Sequence, residues 1–406
     1  MSNRRQIIQA GAALGGAAVL GAPMLVRAQQ SVIRIGYSAS KTGPGAGGNA
    51  TQNDPVYTMW FKEIEAAGGI TIKGKKYAVE RVEYDDRSNP EEAIRAYERL
   101  ATQDKVDFVF APWGTGMNLA VAPTLNKYKY PHLAVSSITD KAPMLVKRWN
   151  NIFFHQGGGS MYGEQLVNLL EEQRKAGKIG NKIAMVSIAD EFGVDLSGGA
   201  RKAAAKHGFE FVYDKTYPGG TQDFSGIIND AKGLNPDAFV AFSYPPDSIG
   251  LTAAAQSQGF NPKVYFVGIG TAFPMFVKRF GPNAEGIMGV GGVNADNPNW
   301  QSFFKRHVEL TGKEPDRFSN MLIHSTLNIL KESIERAGTL DREAVIEEIR
   351  KGSFNTPNGV ISYKDQQWSD VWCVGQWQGG EFHGLAPVAK PGAKKPVIPK
   401  PAWKAV

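Results

Sequence analysis

The chain alternates short runs of β-branched and aromatic residues with amphipathic helical stretches along most of its length. Parallel strands can pair only through a crossover connection, which is usually a helix. The alternation therefore predicts an α/β fold in which parallel sheets are covered by helices. Strands are predicted over 32–36, 77–84, 106–110, 133–135, 182–187, 238–242 and 264–267.

Helix boundaries can be read from local signals. A helix over 54–67 is expected to stop at Gly68 and Gly69, because glycine readily takes the left-handed conformation that closes a helix. Asn89 before Pro90 indicates a helix start, with an N-cap side chain followed by proline at the first helical position. With 406 residues the chain exceeds what one core usually supports, so two domains are expected.

The first 28 residues have the three parts of an export signal. Arg4 and Arg5 form a charged start, residues 11–25 form an uncharged run rich in alanine and glycine, and small residues precede a cleavage site predicted after Ala28. A membrane anchor is the alternative. The apolar run, however, is shorter than the ~20 strongly apolar residues that a spanning helix needs.

The export route is left open. The paired arginines resemble a twin-arginine signal, but Ile7 and Ile8 stand where Phe-Leu is usual. Cys373 is the only cysteine, so no disulfide can form within the chain, and it is expected to pack as a small buried residue. With no cysteine near the signal, no lipid anchor is expected, and a freely soluble periplasmic protein is.

The basic net charge is concentrated at the two ends of the chain. Removal of residues 1–28 takes away three arginines and no acid, so the net charge falls from +7 to +4. The segment 390–406 contains five lysines, which leaves the body at about −1. A nucleic-acid partner is therefore not expected. The Lys/Pro-rich segment itself is expected to be an extended, mobile tail.

The motifs of the common enzyme classes are absent from the sequence. There is no Walker A loop, and the glycine-rich stretch 157–163 lacks the third glycine of a dinucleotide fingerprint. The six histidines are scattered without the spacing of a zinc site, and no Gly-x-Ser-x-Gly elbow occurs. Neither an enzymatic activity nor a cofactor is expected, although a triad assembled from distant positions stays open.

Several short motifs occur in an order that resembles a known family, the leucine/isoleucine/valine-binding type of periplasmic solute-binding proteins for ABC transporters, which are type I periplasmic binding proteins. The similarity covers nearly the whole chain after residue 28. The motifs are Ile33-Arg34-Ile35-Gly36, Thr42-Gly43-Pro44, Ala66-Ala67-Gly68-Gly69-Ile70, Asp85-Asp86 with Pro90, Ala120-Val121-Ala122-Pro123, Asp190-Glu191-Phe192-Gly193 and Asn358-Gly359-Val360-Ile361-Ser362-Tyr363.

The resemblance implies two Rossmann-like lobes joined by three crossover segments, with a ligand cleft between the lobes that closes by a hinge motion. The crossings are expected near 150–153, 290–294 and 355–359. The predicted domains are therefore an export signal over 1–28, lobe I over 29–151 and 293–356, lobe II over 152–292 and 357–389, and a tail over 390–406.

The resemblance also implies a set of ligand-binding positions in loops after the strands. Hydroxyl groups after the third and fourth strands would hold a ligand carboxylate, and aromatic side chains would form apolar walls. N-capping of helices is the structural alternative for these hydroxyls, and ordinary packing is the alternative for the aromatics. The predicted residues are Trp113, Gly114, Thr115, Ser136, Ser137, Phe192, Tyr244, Gly268, Thr271 and Tyr37.

The sequence departs from the family where amino-acid binders hold the ligand ammonium with acids. The two corresponding stretches, 154–160 and 268–271, contain no acid. Either Asp190, Glu191 or Asp247 takes this role, or the ligand has no ammonium. The expected function is capture of a small carboxylate for an inner-membrane ABC permease, by a monomer. The alternatives are a receptor for a signalling sensor, a binder of amides or ureas, and an exported α/β enzyme.

Overall fold

The computed structural model describes residues 32–404, so the predicted export signal over 1–28 lies outside the described residues. The strands of this part of the chain are β1 (Val32–Ala39), β2 (Ile70–Ile72), β3 (Lys75–Asp85), β4 (Phe108–Val109), β5 (His132–Ala134), β6 (Ile152–Phe154), β7 (Lys182–Ile188), β8 (Glu210–Tyr217), β9 (Ala238–Phe242), β10 (Val264–Val267), β11 (Met288–Gly289), β12 (Ser353–Thr356), β13 (Gly359–Ser362), β14 (Val374–Gln378) and β15 (Glu381–Ala386).

Helices connect most of these strands. They are α1 (Ala46–Thr51), α2 (Asn53–Ala66), α3 (Pro90–Thr102), α4 (Thr115–Lys127), α5 (Ala142–Arg148), α6 (Gly159–Lys175), α7 (Glu191–His207), α8 (Ser225–Gly233), α9 (Pro245–Ser257), α10 (Pro274–Phe280), α11 (Pro298–Thr311), α12 (Asn320–Ala337) and α13 (Arg342–Lys351). Between residues 32 and 404, no helix is both long enough and apolar enough to cross a membrane.

Two main sheets organise the fold. The first has the order β2-β3-β1-β4, with β1 parallel to both of its neighbours. The second has the order β15-β14-β11-β10-β9-β7-β8; its strands from β8 to β11 are parallel, and β14 and β15 form an antiparallel edge. The predicted α/β fold with parallel sheets is confirmed. We call the halves built around these sheets lobe I and lobe II.

The local signals read from the sequence correspond to the observed elements. All residues of β9 and β10 are buried, as expected for central strands covered by helices on both faces. Asn89 caps α3, since its side-chain oxygen accepts a hydrogen bond of 2.9 Å from the Glu92 amide. Cys373 is buried just before β14, and burial raises the pKa of its thiol to about 12, so the thiol stays protonated.

Two predicted lobe boundaries cut strand pairs. A boundary after residue 151 would separate β6 from β5, to which it pairs in parallel. A boundary after residue 356 would split the antiparallel hairpin of β12 and β13. Strand pairing therefore keeps β5 with β6, and β12 with β13, on the same side of any lobe boundary.

The expectation of a mobile tail after residue 390 is wrong for 390–404. Ile398 is buried in the main core, and the Trp403 indole donates a hydrogen bond of 2.8 Å to the Phe260 carbonyl. The Lys400 amide donates to the Lys263 carbonyl at 2.8 Å, beside β10. The high lysine and proline content led to the wrong prediction, because two apolar side chains, Ile398 and Trp403, hold the segment on lobe II.

Candidate functional site

The loops that follow the carboxyl ends of strands from both sheets converge on one cleft. In parallel α/β sheets these ends are where ligands bind. Lobe I supplies the loops after β1, β3 and β4, and lobe II supplies the loops after β7, β8 and β9. The resulting cavity has a volume of about 670 Å³, within the range of small-molecule sites.

Trp113 forms a wall of this cavity and is held from behind by a polar network. Its indole N–H donates a hydrogen bond of 2.6 Å to the Gln52 side-chain oxygen. The Gln52 amide nitrogen donates in turn to Asp316 at 3.0 Å and to Ser319 at 2.6 Å. These partners are buried. Because both the oxygen and the nitrogen of the Gln52 side chain are hydrogen-bonded, Gln52 holds the Trp113 ring in a fixed orientation.

Tyr244 forms the facing wall, at the start of α9. Its ring stacks on Phe192 with centroids 5.0 Å apart and an interplanar angle of 22°, and it lies 5.7 Å from the Trp113 ring. Behind these rings lies an inner chamber with only about 10 Å³ of free space. No charged side chain lines the chamber; its walls are Gln52, Trp113, Gly114, Thr115, Ser136, Ile138, Gln156, Phe192, Tyr244, Ile269 and Phe318.

The hydroxyls predicted to hold a carboxylate are engaged with the backbone. Thr115 Oγ1 donates to the Ile138 carbonyl at 3.2 Å and accepts from the Ile138 amide at 3.0 Å. Ser136 Oγ accepts from the Gly114 amide and donates to the Pro112 carbonyl, both at 3.1 Å. Ser137 Oγ is buried without a hydrogen-bond partner and lines neither the cleft nor the inner chamber. Thr115 and Ser136 therefore brace the loops after β4 and β5.

The N-terminus of α4 opens on the cleft. Its N-cap, Gly114, has a φ of 96° and provides no side-chain cap, and Gly114, Gly116 and Met117 line the cavity. The first amides of a helix have no partner within it, and the helix dipole places positive potential there. This end of the cleft therefore favours an anionic group.

Two carboxylates face the cavity from lobe II. Asp190 caps α7 through the Gly193 amide at 2.9 Å, and Asp247 accepts hydrogen bonds from the Tyr217 hydroxyl at 3.1 Å and the Tyr244 amide at 3.3 Å. Burial raises the pKa of Asp247 to about 6 and also raises the pKa of Asp190. Burial and the neighbouring Asp190 hold the pKa of the Tyr244 hydroxyl well above its usual range. This end of the cleft favours hydrogen-bond donors or a cation.

Glu191, the third acid considered from the sequence, is engaged elsewhere. Its carboxylate lies 2.7 Å from Lys141 Nζ of lobe I. It does not line the cavity.

Besides Ser137, three further predicted ligand residues lie outside the site. Tyr37 is 1% exposed and packs in the lobe I core against Tyr57 and Phe110, so its prediction is wrong. Gly268 and Thr271 line neither the cleft nor the inner chamber. A Cβ on Gly268 would stand 2.4 Å from the Ser243 carbonyl oxygen, so glycine is required there for close packing. Thr271 bonds the Val267 carbonyl and is fully buried.

Other lining residues were missed by the sequence reasoning. The loops 43–47 and 219–222 line the cleft, and the runs Gly43-Pro44-Gly45 and Pro218-Gly219-Gly220 after strands were the available signal. Gln52 gave no signal, because the hydrogen-bond partners of its side chain lie between 61 and 267 positions away in the sequence. Of the predicted residues, Trp113, Gly114 and Tyr244 line both spaces, and Thr115, Ser136 and Phe192 line the inner chamber.

A family model described as periplasmic binding protein matches residues 32–381. A curated relative, Leu/Ile/Val-binding protein homolog 7 of Brucella melitensis, is 20% identical over 347 residues, which are 81% of this chain and 85% of the relative.

Solved structures share the fold. The branched-chain amino acid transporter substrate-binding protein LivJ from Streptococcus pneumoniae, in complex with isoleucine, has a TM-score of 0.75 and 21% identity, covering 87% of this chain and 98% of that one. An ABC transporter solute-binding protein from R. palustris, in complex with benzoate, has a TM-score of 0.72 and 18% identity, covering 92% of this chain and 97% of that one.

Proposed function

The chain belongs to the periplasmic binding protein family, whose function is solute binding rather than catalysis, and from this membership we propose that it captures a small amphipathic carboxylate. The two lobes close on the ligand and deliver it to an inner-membrane ABC permease. Export to the periplasm by the signal over 1–28 belongs to the same proposal.

One observation carries the proposal. The N-terminus of α4, which has no side-chain cap, opens on a cavity of about 670 Å³ that is also lined by the adjacent rings of Trp113 and Tyr244. A carboxylate at the helix end receives backbone hydrogen bonds and the positive end of the helix dipole. The apolar body of the ligand then lies against the two rings, with Phe192 supporting Tyr244.

The carboxylate is assigned to the backbone of α4 rather than to the predicted hydroxyls. Thr115 and Ser136 already bond the backbone of neighbouring loops. Their role in this proposal is to hold the loop that presents Gly114 and the first turn of α4.

The first ligand class proposed is an aromatic or aliphatic acid with a neutral body. The inner chamber has no charged residue, and the positions where amino-acid binders carry acids hold none here. The benzoate complex of the R. palustris protein shows that a chain of this fold can take such a ligand.

An amino acid is the second candidate, favoured by a separate observation. Asp190 and Asp247 line the cavity, and no basic side chain lines it with them. A zwitterion could place its carboxylate at α4 and its ammonium at these acids. The isoleucine complex of the S. pneumoniae protein shows this ligand class in the same fold.

Matched ligand pairs decide between the two candidates. Isothermal titration of the purified chain would compare leucine with 4-methylpentanoate and phenylalanine with 3-phenylpropanoate, with benzoate as a further aromatic acid. We expect the acids to bind at least as tightly as the amino acids. Tight binding of an amino acid that is abolished when its amino group is removed would establish the second candidate instead.

The transport role needs a cellular test. Deletion of the gene should abolish uptake of the radiolabelled ligand, and the wild-type chain should restore uptake while Trp113→Ala should not. Normal uptake in the deletion strain would contradict the role in transport and leave the binding function standing.

A further inference from the structure

Residues outside the cleft join the two lobes at its edge. The segment 139–141 of lobe I, which links β5 to α5, contacts the N-terminal parts of α6 and α7 in lobe II. None of the residues in these contacts lines the cleft or the inner chamber. We call this set of contacts the edge contact; its members are Thr139, Asp140, Lys141, Ser160, Glu191 and Asp195.

Asp195 is the centre of the edge contact. Its Oδ2 accepts a hydrogen bond of 3.1 Å from the Thr139 hydroxyl and one of 2.9 Å from the Asp140 amide. Burial raises the pKa of the Asp195 carboxyl, while these two donors oppose that shift. A carboxylate with two donors from the other lobe binds them more strongly than a neutral acceptor would.

Asp140 makes the reciprocal contact with α6. The N-cap of α6, Gly158, provides no side-chain cap, and the Asp140 carboxylate accepts from the Ser160 amide at 3.1 and 3.2 Å and from the Ser160 hydroxyl at 3.0 Å. A lobe I side chain thus caps a lobe II helix.

The two lobe II helices, α6 and α7, pack with their backbones in close contact. A Cβ on Gly163 would stand 2.1 Å from the Leu196 carbonyl oxygen, and one on Gly199 would stand 2.1 Å from the Ser160 carbonyl oxygen. Such close backbone packing leaves α6 and α7 little room to slide. Rotation of lobe II away from lobe I therefore separates Asp195 from both of its donors together.

We infer that Asp195 determines ligand affinity without touching the ligand, because its hydrogen bonds with Thr139 and Asp140 stabilise the closed arrangement of the lobes. This inference rests on the proposed capture by lobe closure. A ligand that binds only the closed form has an apparent dissociation constant inversely proportional to the closed population. Lys141 and Glu191 form a further ion pair, but an exposed pair adds little.

Distance measurements test the inference without a known ligand. Met144 on α5 and Val194 on α7 are 59% and 57% exposed and lie one turn beyond Lys141 and Glu191. Met144→Cys and Val194→Cys provide spin-label sites, since the native Cys373 is buried. Double electron-electron resonance then reports the short-distance, closed population with and without leucine, 4-methylpentanoate and benzoate.

Asp195→Ala should reduce the short-distance population and raise the dissociation constant of any bound acid about 10- to 100-fold, mainly through faster dissociation. Thr139→Val should have a smaller effect, and the double variant should be little worse than Asp195→Ala, as expected for one shared interaction. Asp195→Asn is the variant to use if Asp195→Ala does not fold.

The control is Asp214→Ala, which removes a carboxylate that pairs with Arg201 of α7 inside lobe II. It should leave the distances and affinities unchanged. The inference is overturned if Asp195→Ala keeps the wild-type distance distribution and affinity, or if the wild-type chain shows no short-distance population in any condition. If no tested acid binds but Asp195→Ala still lowers the short-distance population, the ligand proposal fails, while the stabilisation of the closed arrangement by Asp195 is supported.

Discussion

The Trp113 ring lies directly on the backbone of Gly48: a Cβ added to Gly48 would stand 2.0 Å from the indole carbon Cζ2. The glycine of α1 thus makes room for the aromatic wall of the cleft. Gln52, which lies between α1 and α2, accepts a hydrogen bond from the same indole. Gly48 and Gln52 together therefore fix the position of Trp113.

Gly48→Ala is expected to displace Trp113 and weaken ligand binding at least tenfold. Alanine normally stabilises a helix interior relative to glycine by about 0.5–1 kcal/mol, so a loss of stability here would report the clash with the ring. Calorimetry and intrinsic tryptophan fluorescence would measure both effects. Gly47→Ala is the control for stability, because a Cβ there meets nothing within 4 Å. Equal stability changes in the two variants would contradict the predicted clash between a Cβ at position 48 and the Trp113 ring.

Thr115→Val should lower stability, whereas Ser137→Ala should not. Thr115→Val leaves the buried Ile138 amide without its 3.0 Å acceptor, which should cost about 1–3 kcal/mol. Ser137→Ala removes a buried hydroxyl that has no partner, so stability should stay equal or rise. Urea unfolding of both variants measures the difference. A loss of ligand affinity in Ser137→Ala would show instead that this hydroxyl reaches the ligand.

The fold could be predicted where the cause is local. The strands β9 and β10 were predicted with their observed boundaries, because each is an unbroken apolar run buried on both faces. The end of β1 was predicted three residues early. It continues through Ser38, a polar residue whose hydroxyl donates to the buried Asp86 at 2.7 Å, and a partner 48 positions away gives no local signal.

The site shows the same division. The position of Trp113 at the cleft could be predicted, because a large aromatic residue in a loop at a strand end has few structural reasons to be there. Tyr244 was named through the family resemblance. The role of Thr115 and Ser136 could not be predicted, since a hydroxyl after a strand serves equally to bond a ligand or a neighbouring loop. In the structure these hydroxyls accept hydrogen bonds from the Ile138 and Gly114 amides. The two amides are brought to the hydroxyls by the tertiary structure, which the local sequence does not show.

Asp247→Asn is expected to stabilise the chain at pH 8 and not at pH 4. Burial raises the folded-state pKa of Asp247 from 3.8 to about 6, so the folded state binds the proton more tightly than the unfolded state. The stability contributed by this group is therefore present below about pH 4 and is lost as the pH rises through about 6. Removing the charge should recover up to about 3 kcal/mol at pH 8, measured as a higher melting temperature.

The exposed Asp223 provides a control of opposite sign. The Ser225 amide donates to its carboxylate at 2.8 Å and lowers its pKa, so Asp223→Asn should lose stability at pH 8 rather than gain it. A melting temperature of Asp247→Asn that follows the wild type at every pH would show that the Asp247 carboxylate is compensated in solution, as by a bound cation.

Deletion of residues 390–406, which the composition alone suggested would be harmless, is expected to destabilise lobe II. Ile398 lies in the main core, and the ring of Trp403 packs on Tyr265 with centroids 5.9 Å apart. Ile398→Ala should lower the free energy of unfolding by about 2–4 kcal/mol through lost burial and the cavity it leaves. Val388→Ala, at a side chain 47% exposed, is the matched control and should change it by less than about 0.5 kcal/mol. Residues 390–404 do not line the cleft, so ligand affinity measured well below the melting temperature should be unchanged in Ile398→Ala. Equal stability of Ile398→Ala and Val388→Ala would mean that the segment 390–404 is not docked in solution.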